Sequence, residues 1–71
     1  MNVKVIEVKY RFFGRPKQEV LKNDDIDLTV YPVKDDRVYI DDVQYRVIQR
    51  DLILRKDPNN QRMILFVEKT F

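Results

Sequence analysis

The 71-residue chain contains no cysteine, histidine, serine, alanine or tryptophan, and only one glycine. Each absence removes a class of chemistry. Without cysteine there is no disulfide framework, thiol nucleophile or thiolate metal site. Without histidine the chain lacks the commonest general base near neutral pH and the commonest transition-metal ligand. Ser–His and Cys–His nucleophilic devices are ruled out, and Thr29 and Thr70 are the only hydroxyls besides the four tyrosines. The sequence therefore offers no catalytic residues, no metal site and no cofactor, and reads as a binding protein rather than an enzyme.

Long apolar runs are missing too. No stretch approaches the roughly 18 residues of a membrane span. Met1–Val5 alternates apolar and polar side chains where a secretion signal would be continuously apolar. Both features lead to the expectation of a cytoplasmic protein without membrane association.

What is present suits one small folded domain spanning residues 1–71. The hydrophobic fraction is 44% and the charged fraction 37%. The first is near the globular average; the second is well above it, as expected where surface is large relative to interior. The net charge is only +2, but it is unevenly spread. Residues 1–23 carry six basic and two acidic side chains, 24–42 two and seven, and 43–71 six and three. Either the acidic middle neutralises the basic flanks, or the molecule has one basic and one acidic side.

The dominant spacing is two, the mark of half-buried strands. Ile6, Val8, Tyr10 and Phe12 fall on one face of a first strand, with Glu7, Lys9, Arg11 and Phe13 opposite. Gly14–Lys17 reads as a turn, Glu19–Lys22 as a short return strand, and Asn23-Asp24-Asp25 as a second turn. Alternation resumes over Ile26–Val30, and Pro32 ends that strand or places it at an edge. Lys34-Asp35-Asp36 is a third turn.

Arg37–Ile40 and Val43–Val47 flank Asp41-Asp42 as a hairpin. A two-residue primed turn needs positive φ at both residues, which Asp-Asp adopts less readily than Asp-Gly, so a longer connection is the alternative. Tyr45 and Val47 sit on odd positions and Leu52 and Leu54 on even ones, which requires a bulge near Ile48–Asp51. Asp57–Asn60 is the strongest turn signal, and Met63–Val67 is apolar on both faces.

These elements predict an all-β fold, a small curved antiparallel sheet or SH3-like barrel of five to six strands. The predicted core is Ile6, Val8, Phe12, Ile26, Leu28, Val30, Val38, Ile40, Tyr45, Val47, Leu52, Leu54, Ile64 and Phe66. That sorting sends Lys9, Arg11, Phe13, Tyr31, Arg37, Tyr39 and Arg46 outward, with Arg15 at the adjoining turn. Cations interleaved with rings form a stacking platform for single-stranded nucleic acid, or simply decorate a sheet. The same sorting exposes Met63, Leu65 and Val67 as a strand for a partner or a second copy.

Two other features have structural and functional readings side by side. The acidic pairs 24–25, 35–36 and 41–42 would bind a divalent cation if they converged, but they lack EF-hand spacing and fall at turns. Arg55, Lys56 and Arg62 flank the Asp57–Asn60 turn, where phosphate, an acidic protein surface or solvent would screen their repulsion.

Two resemblances follow from these residues. Gly14-Arg15-Pro16-Lys17 resembles the Gly-Arg-Pro core of the AT-hook, which implies minor-groove contact by Arg15, although Phe13 stands where that motif has a basic residue. The stretch from Arg37 to Val67 resembles, in pattern and size, the small SH3-like β-barrel proteins encoded by bacteriophages and prophages. That likeness covers a little under half the chain and implies a non-enzymatic module binding a host or virion protein. A nucleic-acid-binding barrel using the basic–aromatic face is the alternative, and a homo-oligomer is compatible with either.

Overall fold

The computed structural model describes residues 1–10, 14–26 and 30–70. Five strands follow in order: β1 (Asn2–Lys9), β2 (Lys17–Asp25), β3 (Arg37–Ile40), β4 (Val43–Ile53) and β5 (Arg62–Lys69). Between β4 and β5 lies a 3-10 turn, Pro58–Asn60. The strands form one sheet in the order β2-β1-β5-β4-β3, curled into a half-barrel. Three pairings are antiparallel; the fourth, β1 with β5, is parallel.

Local sequence accounts for most of the turns. Gly14, between β1 and β2, has φ +90, a region that L side chains rarely adopt. Asp41 and Asp42 both have positive φ, 50 and 66, so the β3–β4 connection is the tight two-residue turn in spite of its two aspartates. In the Lys34–Asp36 turn, Asp35 has φ 76 and the Asp36 carboxylate accepts from the Val33 N–H at 2.8 Å. The Asp57 carboxylate accepts from the Asn59 N–H at 2.9 Å and caps the 3-10 turn.

The register shift between Val47 and Gln49 is the bulge that the change of phase in β4 requires. Beyond the short β3, the chain between Val33 and Asp36 continues the edge of β4. The Asp35 N–H donates to the Val47 carbonyl and the Val47 N–H to the Asp36 carbonyl, each at 2.8 Å.

The core lies on the concave face. It consists of Val3 and Val5 from β1, Tyr45 and Val47 from β4, and Met63, Leu65 and Val67 from β5. Met63, Val47 and Val67 are fully buried. Each such side chain contributes about 1.5–3 kcal/mol by its removal from water. Leu21, Ile26, Val38, Ile40 and Val43 pack around them.

Several expectations are overturned. β1 turns its odd-numbered residues inward, so Val3 and Val5 form the core cluster; Ile6 is buried as expected, but from the outer face, which it shares with the half-buried Val8. β5 does likewise: Met63, Leu65 and Val67, expected to be exposed, are 0–3% exposed, and Ile64 and Phe66 are half-buried on the other side. Both strands are apolar on both faces, and their parallel pairing at the centre of the sheet sets the common inward phase.

Asn23-Asp24-Asp25 is not a turn. It extends β2, paired with Asn2–Lys4, and leaves a charged edge of the kind that discourages edge-to-edge association. Ile26 and Val30 lie outside the strands, Val30 being 77% exposed; the residues between them fall outside the described chain, as does Phe12. Leu52 and Leu54 are 41% and 67% exposed: β4 runs on to Ile53, well past its last β3 partner, Arg46, and among the described residues no strand pairs with that edge there.

Candidate interaction site

The half-barrel is unclosed, and this opening builds the site. Among the described residues β2 and β3 each pair on one side only, and no backbone ladder joins them. Between them runs a groove of about 270 Å³. The buried Val3, Val5 and Leu65 form its floor, Val38 and Ile40 line the β3 wall, and Ile26 and Pro32 contribute to the lining. Lys22 of β2, Tyr39 of β3 and Asp41 of the β3–β4 turn also line it.

The backbone of β3 is oriented towards this opening. In a two-residue hairpin the closing pair, Ile40 and Val43, exchanges ladder hydrogen bonds, and the next pair, Tyr39 and Gln44, turns its backbone groups away. The Gln44 carbonyl accordingly accepts from the Thr70 N–H on the β5 side, at 3.1 Å. The N–H and C=O of Tyr39, and by the same alternation those of Arg37, therefore point out from the free edge. On β2 the bond from the Ile26 N–H to the Met1 carbonyl, 2.9 Å, fixes the matching alternation. There Asn23 and Asp25 present the outward groups.

Polar side chains gather at the far end of the concave face. Lys9 lies across from Lys17, and Glu7, itself buried, across from Glu19. The Lys9 ammonium reaches diagonally to the Glu19 carboxylate at 2.7 Å. That hydrogen bond holds Glu19 below the usual carboxylate range and raises Lys9. Burial, reinforced by the nearby Glu7 charge, pushes the Tyr45 phenol up. On the outer face the Arg46 guanidinium donates to the Glu68 carboxylate, through Nε at 2.9 Å and also through Nη2, and to Asp35 at 3.1 Å. These bonds raise its pKa further, the Glu68 hydrogen bond most.

The basic–aromatic face expected from the sequence is not assembled as one surface. Arg37, Tyr39 and Arg46 share the outer side of the β3–β4 hairpin, Tyr39 being 70% exposed. Lys9 belongs to the inner side of β1, because the strand's phase is the reverse of the expected one. Tyr31 is exposed in the chain before β3, and Arg15 at the β1–β2 turn. Arg11 and Phe13 lie outside the described residues. Two of the cations, Lys9 and Arg46, are already engaged by carboxylates.

The acidic pairs have separate duties: Asp24 meets Lys22 at 3.7 Å, Asp35 meets Arg46, and Asp36 binds backbone. Among the described residues no three carboxylates come within range of a common metal ion. Sequence reasoning missed the groove, whose walls come from strands that are neighbours only through the curl of the sheet. The surplus of apolar residues in β1 and β5 was its one local trace.

No protein family matches the chain, and neither a characterised protein nor a solved structure is significantly similar to it.

Proposed function

We propose that this protein is a non-enzymatic interaction module that captures an extended segment of another protein in the opening of its half-barrel. The observation that carries this reading is the apolar groove lying beside unpaired strand edges with outward backbone groups. An added strand would pair with Tyr39 and Arg37 and place alternate side chains over Val3, Val5 and Leu65, so that main-chain bonds give affinity and the groove gives selectivity. Exposed Leu52 and Leu54 extend the apolar surface available to a partner. The resemblance of residues 37–67 to small phage-encoded barrels supports a role as an accessory protein acting on a host or virion protein.

The test begins with capture from nuclease-treated lysate, followed by affinity measurement on the recovered partner with Tyr39→Pro. At an outward-facing position proline removes a donor from the free edge and none from the β3–β4 ladder. Loss of tenfold or more in affinity, with the fold intact by circular dichroism, is expected. Unchanged affinity would refute strand addition at this edge. Recovery of nucleic acid alone from a parallel lysate left without nuclease would move the assignment to the nucleic-acid alternative.

A further inference from the structure

The outer face, opposite the groove, carries a second concavity of about 380 Å³ at the amino-terminal ends of β1 and β5. Its floor includes Ile53 and Ile64. In the parallel register Lys4 lies across from Ile64 and Arg62 across from Asn2. Lys4 and Arg62 are therefore diagonal neighbours on one face, with backbones about 7 Å apart. Neither forms an ion pair among the described residues. Two adjacent cations repel, and the arrangement is relieved when an anion sits between them.

The remaining lining is rich in hydrogen-bonding amides. Asn2 donates to the Asn23 side-chain oxygen at 3.1 Å, which leaves the Asn23 amide N–H groups for a ligand. Asn59 and Gln61 line the same concavity, and their side chains make no hydrogen bond among the described residues. Among the described residues Asp25 is the one carboxylate in the lining. Donors thus outnumber acceptors: three N–H on Lys4, five on Arg62, and the carboxamides. Such a set suits a tetrahedral oxyanion, gripped through two oxygens by the guanidinium, with amides turned to the rest of the ligand. The volume lies within the range of small-ligand sites.

We propose that this concavity is a binding site for a phosphate monoester on a small, hydrogen-bonding body. The acidic turn residue Asp57 is occupied with its own cap, so Arg62 is left to the ligand. The site is independent of the groove and survives or fails separately from it.

The experiment is an amide-resolved NMR titration with inorganic phosphate, ribose 5-phosphate and ribose, against sodium chloride at matched ionic strength. Saturable shifts centred on residues 2–4 and 59–62 are expected with both phosphates, at least tenfold tighter for ribose 5-phosphate, and none with ribose. Lys4→Gln and Arg62→Gln should each weaken binding tenfold or more, while Lys56→Gln, on the exposed turn nearby, should leave it unchanged. All three positions are on the surface, and the spectra themselves report that each variant is folded. Shifts reproduced by sodium chloride, or an equal loss in Lys56→Gln, would overturn the site. Equal affinity for the two phosphates would overturn the part given to the carboxamides.

Discussion

Replacing Met63 by alanine tests which face of β5 is inside. Met63 is fully buried opposite Leu52 in the β4 pairing. Truncation removes three side-chain heavy atoms from the core, a transfer loss of about 2 kcal/mol at roughly 0.8 kcal/mol per group. The cavity left behind adds about 1 kcal/mol at roughly 24 cal/mol per Å³. The sum, about 3 kcal/mol, is a large share of the roughly 4–10 kcal/mol available to a domain of this size.

Leu54→Ala is the control. Leu54 was placed in the core by its sequence spacing but is 67% exposed, so its truncation should cost within about 0.5 kcal/mol. Urea unfolding followed by far-ultraviolet circular dichroism gives the comparison without tryptophan. With a slope of about 1 kcal/mol/M, the Met63 variant should shift its midpoint by about 3 M and the Leu54 variant by less than about 0.5 M. A Met63 shift no larger than that of Leu54 would refute the inward phase assigned to β5, and with it the floor of the groove.

Two further outcomes follow from particular contacts. Asp42→Gly should raise stability by about 0.5–1 kcal/mol, because φ 66 at residue 42 strains an L side chain more than glycine; a lower thermal midpoint would contradict the turn geometry. The Lys9–Glu19 pair should give stability that is fully present above the ordinary carboxylate range. It should be lost as pH falls through Glu19's lowered folded value, and again at high alkalinity as pH rises through Lys9's raised one. Against Lys9→Gln, the wild type's advantage in urea midpoint should therefore vanish on acidification; an advantage that persists below both Glu19 values would rule the pair out as its source.

The sequence was most legible where the signal is local. Asp41-Asp42 between two alternating segments marked the β3–β4 hairpin, and the phase change from Val47 to Leu52 marked the bulge. Signals failed where a distant partner decides. Asn23–Asp25 has turn chemistry, yet Asn2–Lys4 draws it into a ladder. Period two separates the faces of β1 and β5 but cannot choose between two apolar faces, and the choice made from Ile6, Val8 and Phe66 was the reverse of the fold's. The expected binding face inherited that error at Lys9. Partners such as Glu68 for Arg46, 22 residues apart, depend on cross-strand register alone. Some charge neutralisation between the acidic middle and the basic flanks is realised, through Asp35 and Arg46.

Amide hydrogen exchange of the isolated protein tests the open edges most directly. Val38, bonded into the β3–β4 ladder, should exchange slowly, while Arg37 and Tyr39 on either side of it exchange at nearly the free rate. The same contrast should separate Asp24 from Asn23 and Asp25 on β2. Equal protection of Tyr39 and Val38 would mean that this edge is already paired, leaving no opening for a partner strand.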